Sequence, residues 1–202
     1  MKYLFIRTLY RIKDSHPKLW SVIENINSLL FGMLYFKPFS KRLQLLLNEQ
    51  ENNLYQFRFL VLEDTYALQK LLVSLEPAYR QYFKPHRFDE KTLQRQLRNK
   101  ALIRMGIFSQ NQMVGYFFIR AGINRKCFVG RLVHKSHRRK GLGKAMNHIM
   151  YHAAWQSGFR VFATLSPTNQ FVMQSHKNNP YIHMLNDLPG NYKIVEFLKP
   201  RS

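Results

Sequence analysis

The residues with the clearest chemical capacity lie between Val133 and Met146, in the run Val-His-Lys-Ser-His-Arg-Arg-Lys-Gly-Leu-Gly-Lys-Ala-Met. Four cations, Arg138, Arg139, Lys140 and Lys144, flank two glycines, Gly141 and Gly143. An apolar, strand-like run from Cys127 to Val133 precedes them. After them Leu142, Ala145, Met146, Ile149 and Ala153 recur at helical spacing. The pattern is a strand, a basic turn and a helix start. The first N–H groups of a helix lack intrahelical partners and carry partial positive charge, which suits phosphate. Glycine has no Cβ, so a ligand can approach the main chain closely. The stretch reads as a pyrophosphate cradle.

Two familiar phosphate loops are excluded. The Gly-x4-Gly-Lys-Ser/Thr spacing of a Walker A loop is absent. The dinucleotide fingerprint G-x-G-x-x-G fails because Met146 stands three residues after Gly143. What remains is Arg138-x-x-Gly141-x-Gly143. Metal chemistry has no comparable signal. None of the eight histidines stands at a zinc spacing with Cys or carboxylate support. His148 and His152, four apart on one helix, have no third ligand and read as solvent-facing or satisfied core residues.

The elements that must position this turn follow from periodicity. Residues 1–53 read as a helical extension: Leu4, Phe5, Leu9 and Ile12 share one face, a second helix opens at Pro17, and Lys37-Pro38 ends it. A short third helix spans Lys41 to Asn48. Residues 54–202 form the second unit. Tyr55–Leu62 is its first strand, and Glu63-Asp64-Thr65 caps a helix from Tyr66 to Ser74. A further helical region, from Pro77 to Lys100, is broken at Pro85. Leu102–Phe108 and Met113–Arg120 form a hairpin. The helix after the glycines ends at Gly158. Arg160–Leu165 is a strand, Ser166-Pro167-Thr168-Asn169 opens a short helix through His176, and the tail from Asn191 to Leu198 is the last strand.

Charge narrows the partners. Lys and Arg number 32 and Asp and Glu 11, a net charge of +21. No acidic residue occurs between Glu90 and Asp187. Such a field attracts polyanions: nucleic acid, anionic lipid, or a cofactor with several phosphates. No RNA-module motif appears, and the aromatics sit in strand patterns, so nucleic acid is not the expected partner. A single cysteine, Cys127, excludes an intrachain disulfide and fits a reducing compartment. Leu4-Phe5-Ile6 is interrupted by Arg7, too soon for a signal peptide, and the apolar stretch from Leu19 to Phe36 carries Glu24, Asn25 and Asn27, too polar for an ordinary span. A cytoplasmic protein, peripheral to the membrane if the N-terminal helices dock there, is expected.

The Arg138-x-x-Gly141-x-Gly143 spacing, after a strand and before a helix, resembles the coenzyme A loop of the Gcn5-related N-acetyltransferase superfamily. From about Tyr55 the order of elements, with Asn169 opening the last helix, resembles that superfamily over roughly three-quarters of the chain. The resemblance implies an α/β fold with a mixed sheet and the co-substrate acetyl-coenzyme A, with no metal. It also implies a strand that splays from its neighbour, Val133 offering backbone contacts on it. Arg138, Arg139, Lys140, Gly141, Leu142, Gly143 and Lys144 would line the pyrophosphate, and Asn169 would lie near the pantetheine. Arg131 and Lys135 are weaker candidates.

The acceptor side departs from the family pattern. Many relatives place a general-base Glu on the strand before the loop; this strand has no carboxylate. His134 is the nearby titratable residue of suitable pKa, as base or as a surface residue. Many relatives place a Tyr seven residues after the helix-opening Asn, as the acid for the departing thiolate; here that residue is His176. Its basic surround should push the imidazole pKa down. The expected function is acetyl transfer to an amine or hydroxyl of a small acceptor, a sugar or polysaccharide precursor. The Phe83-Lys84-Pro85-His86 stretch is similar to one in some superfamily members of sugar pathways. Two alternatives stand: transfer to a protein amine, and a catalytically inactive polyanion- or membrane-binding module on the same fold. Residues 1–53 are expected to contact a membrane, a partner or a second copy, or to pack on the following domain.

Overall fold

The computed structural model of the chain describes residues 17–76, 89–176, 179–188 and 192–200. The amphipathic stretch from Leu4 to Ile12, the Phe83–His86 segment and Pro85 lie outside the described residues. Two helices come first, α1 (Pro17–Leu34) and α2 (Phe36–Gln50). Pro38 does not end a helix, as the sequence suggested. It stands in the first turn of α2, where a missing N–H costs nothing because that group has no intrahelical partner. The break falls at Tyr35 instead.

The remaining elements are β1 (Gln56–Phe59), a 3-10 turn (Leu62–Asp64), α3 (Thr65–Val73), α4 (Glu90–Leu97), β2 (Leu102–Ser109), β3 (Gln112–Ala121) and β4 (Lys126–Val133). A second 3-10 turn (Lys135–His137) leads to α5 (Leu142–Gln156). Then come β5 (Arg160–Leu165), α6 (Gln170–His176), β6 (Ile182–Leu188) and β7 (Tyr192–Phe197). The seven strands form one sheet in the order β1-β2-β3-β4-β5-β7-β6. Every pairing is antiparallel except β4 with β5. The β2–β3 hairpin turns on Gln110 and Asn111, both at positive φ, the conformation a two-residue turn between twisted strands requires.

Asp64 does not cap α3 with its side chain. Its carboxylate accepts two bonds from the Arg58 guanidinium (2.6 and 2.8 Å) and one from the Val61 N–H (2.9 Å). It ties the end of β1 to the turn that follows. Burial alone would raise its pKa, but the Arg58 and Val61 bonds outweigh burial and hold it below the usual value.

Alternation along β4 divides the core. Cys127, Val129 and Val133 face a cluster shared with α1, α2 and α5, while Leu132 faces a second cluster under α3 and α4. Phe31, Phe39, Leu43 and Leu47 are fully buried in the first cluster, beside Phe159 and Met146. The Phe31, Phe39 and Phe159 rings meet edge-on at 5.3–6.0 Å. The helices before residue 53 therefore share a core with the sheet; the division of the chain there is one of order, not of core.

Candidate functional site

Strands β4 and β5 pair only at their beginnings. Lys126, Cys127 and Phe128 match Arg160, Val161 and Phe162, and the register stops there. Val129–Val133 and Ala163–Leu165 run on unpaired to each other, so the two strands open toward their C-terminal ends. Both sides of the opening lead into helices, α5 after β4 and α6 after β5. The His134 N–H bonds to the Val114 carbonyl at 2.8 Å, on the β3 side. By strand alternation the Val133 backbone turns to the open edge. Arg138 Nε stands 3.5 Å from the Val133 carbonyl there, and Arg138 Nη1 is 3.3 Å from Glu76 Oε2.

The glycine turn holds two residues in the left-handed region, Arg139 (φ 61°) and Gly141 (φ 79°). Gly141 is the N-cap of α5, and its carbonyl accepts from the Lys144 and Ala145 N–H groups. The N–H groups of Leu142 and Gly143 precede the first helical bond and point out of the helix end. The Leu142 side chain is buried in the core, so its part here is its backbone. Arg139, Lys140 and Lys144 are exposed around the turn. A cleft of about 370 Å³ runs beside it, lined by Leu54, Tyr55, Phe57, Lys140, Gly141 and Ala145 among others.

The two glycines differ. Nothing lies within 4 Å of where a Cβ on Gly141 would stand. A Cβ on Gly143 would meet Arg131 Nη1 at 2.8 Å. The space beside the main chain is thus open at Gly141. At Gly143 the space is taken by the Arg131 guanidinium, whose Nε also donates to Asn147 Oδ1 at 2.7 Å.

Asn169 is buried and caps α6, its Oδ1 accepting from the Val172 N–H at 3.2 Å. His176, at the end of α6, lies against the Phe197 ring at 5.4 Å. Asn179 Oδ1 accepts from the Tyr181 N–H (3.1 Å), which leaves the amide NH₂ to donate to His176 Nδ1 (3.2 Å). That assignment puts the imidazole proton on Nε2. Burial, and then the Arg131 charge, lower the His176 pKa to about 4. The direction is the expected one, with burial as the larger cause. At neutral pH the ring is neutral, with Nε2–H as its one donor.

His134 sits on the other side of the turn, its Nδ1 2.7 Å from Ser136 Oγ. His137, which sequence reasoning passed over, has Nδ1 3.1 Å from the Tyr55 hydroxyl and lies beside the cleft. Burial, Lys140 and His134 lower its pKa. Arg131, a weaker candidate from the sequence, bonds Asn147 and lies near Tyr151, which shares a hydrogen bond with Asn179; these three partners were not singled out. Their one sequence signal is the position of Arg131 on the strand before the loop. The His148 and His152 rings are 4.2 Å apart, and among the described residues no group of three or more His, Cys, Asp or Glu could hold a metal ion.

The arrangement of elements as a whole matches solved structures. The GNAT domain of PAT from S. lividans matches with a TM-score of 0.61 at 16% identity, over 71% of this chain and 89% of that one. The chain has the Gcn5-related N-acetyltransferase fold. The PaiA N-acetyltransferase of Thermoplasma acidophilum, in complex with coenzyme A, shares this acetyltransferase fold with a TM-score of 0.61 at 14% identity, over 72% of this chain and 99% of that one. The ribosomal-protein-S18-alanine N-acetyltransferase of Escherichia coli matches with a TM-score of 0.54 at 11% identity, over 73% and 96%. No family model and no curated protein matches the sequence.

Proposed function

We propose that the chain transfers an acetyl group from acetyl-coenzyme A to an amine or hydroxyl of a small acceptor, a sugar or polysaccharide precursor. The observation that carries this reading is the opening between β4 and β5 with the start of α5 on its edge. It offers what an acyl-coenzyme A requires: an unpaired strand edge at Val133 for the amides of an extended arm, and outward N–H groups at Leu142 and Gly143 for a pyrophosphate. Gly141 leaves the main chain uncovered, and Arg139, Lys140 and Lys144 add charge. The bound thioester supplies an activated acetyl group for direct attack by the acceptor.

The chain's own groups then orient, donate and accept. Arg138 secures the Val133 carbonyl and so the geometry of the open edge. His176, held by Asn179 with its proton on Nε2, is a neutral donor, suited to a hydrogen bond toward developing negative charge rather than to full proton release. His134 is the candidate base, its ring oriented by Ser136. A protein amine as acceptor is the second reading, favoured by the name of the Escherichia coli neighbour.

The test is an acceptor screen that follows thiol release from acetyl-coenzyme A, with thermal shift as the binding readout. Acetyl-coenzyme A raises the melting temperature, an oligonucleotide does not, and Lys140→Glu/Lys144→Glu weakens the shift. Equal stabilisation by the oligonucleotide, or a shift unaltered in the double variant, would move the reading to a polyanion-binding module.

A further inference from the structure

Helix α1 docks with the wrong face for an ordinary surface helix. Three of its polar residues, Glu24, Asn27 and Ser28, point inward, while Asn25 is exposed on the outer side between Val22 and Leu29. Glu24 Oε1 accepts from Arg120 at 2.8 Å. Asn27 donates to the Ala121 carbonyl (2.9 Å) and accepts from the Ile123 N–H (3.1 Å). Ser28 Oγ accepts from the Lys100 N–H (3.0 Å). Phe31 alone is a fully buried apolar residue of this face. The opposite face carries Leu19, Val22, Ile26, Leu29 and Met33, which are 50–66% exposed. Their spacing of three and four keeps them on one line along the helix, about 21 Å long at 1.5 Å per residue. A line of exposed large apolar side chains of this kind marks an interaction surface.

Charge selects the occupant. The one acidic residue of α1, Glu24, is neutralised by Arg120 on the inner face. Cations surround the other end. The Lys100 stem lies on Gly32, where a Cβ would meet its Cδ at 2.8 Å. Arg125 stacks over Tyr35 (5.6 Å), and Lys37 is exposed just beyond. A second copy would bring another +21 against this face. A surface that is negative at its rim and apolar beneath matches both features. No helix among the described residues is long and apolar enough to cross a membrane, so α1 would lie in the interface plane.

We propose that α1 seats the protein on an anionic lipid surface, with Leu19, Val22, Ile26, Leu29 and Met33 entering the headgroup–acyl boundary and Lys37, Lys100 and Arg125 meeting lipid phosphates. This proposal is independent of the acetyl-transfer reading. It also gives the inward polar face a reason: those bonds hold the apolar line outward.

The full chain is tested by flotation with phosphatidylcholine vesicles, with and without phosphatidylglycerol. Wild type floats with the anionic vesicles, and less at high salt. Leu29→Gln/Met33→Gln, which leaves charge unchanged, lowers partitioning about tenfold or more. Circular dichroism and sedimentation of both proteins complete the experiment. Three results overturn the proposal: wild type that stays off anionic vesicles, as expected if residues 1–16 cover the line; a variant that floats as well as wild type, which makes the binding purely ionic; or a wild-type dimer that the variant dissociates, which assigns the face to a second copy.

Discussion

A Cβ on Gly143 would stand 2.8 Å from Nη1 of Arg131, a residue of the preceding strand. The second glycine of the turn is thus fitted to a side chain of its own protein. The nearest atom is the end of a flexible side chain, so Gly143→Ala should push Arg131 aside and break its bond to Asn147 rather than unfold the turn. A lost hydrogen bond from a charged donor corresponds to about 1.5–3 kcal/mol. In an Arg131→Ala background the same substitution should cost almost nothing. Gly141→Ala should instead cost about 1–2 kcal/mol in either background, because its φ of 79° is strained for any residue with a Cβ. Urea unfolding of these six proteins checks this, and additive effects of Gly143→Ala and Arg131→Ala would refute the contact.

His176 gives a pH signature. Its folded pKa, about 4, lies below the roughly 6.5 of an unfolded histidine. The unfolded chain therefore takes up the proton first as pH falls. Stability drops from about pH 6.5 down to about pH 4, by on the order of 3 kcal/mol for this group, and levels off below. His176→Phe should flatten that part of the stability profile while leaving stability near pH 7 similar. The same placement predicts no fall in turnover through the ordinary imidazole range as pH rises, since the ring is already neutral there. A falling limb near pH 6.5 that disappears in the variant would return His176 to the role of a protonated acid.

The legible parts of this chain were those set by local pattern. The strand before the glycines, the helix after them and the hairpin closed by Gln110 and Asn111 each follow from periodicity or turn chemistry. β6 was missed because Ile182–Leu188 shows little alternation, carries a register shift between Met184 and Asn186, and pairs only with β7 at the sheet edge. Arg131 was underweighted because its partners lie 12 and 16 residues away on another element. For α1, periodicity located an apolar face and could not say which way it points; four polar contacts across more than 70 residues decide that.

The N-terminal helices should melt with the sheet. Phe39 is fully buried against Phe31 and Phe159, inside the cluster that contains Met146 of α5. Phe39→Ala should cost about 3–5 kcal/mol. It should lower the single transition of the whole chain, observed by circular dichroism and by loss of acetyl-coenzyme A binding at the same temperature. Two separated transitions, with ligand binding surviving the first, would make residues 1–53 an appendage in energy as well as in order.

Arg104 supplies the last prediction. It is 3% exposed on β2, and its Nη1 donates to the Leu93 carbonyl at 3.2 Å, while Nε and Nη2 find no hydrogen-bond partner among the described residues. Burial lowers its pKa to about 10, so it remains charged at neutral pH. Its other neighbour is the fully buried Tyr116, which shares a hydrogen bond with it. A buried cation with unmet donors is costly, and apolar replacement of such groups is often neutral or stabilising by about 1–4 kcal/mol. Removing Arg104 alone also removes a partner of the Tyr116 hydroxyl, which opposes that gain. Arg104→Met should therefore change stability little, and Arg104→Met/Tyr116→Phe should match or exceed wild type. A double-mutant cycle by urea unfolding reads the coupling directly. If the double variant is destabilised by several kcal/mol, the guanidinium has a favourable partner in the native protein, and the cost of burying it is met there.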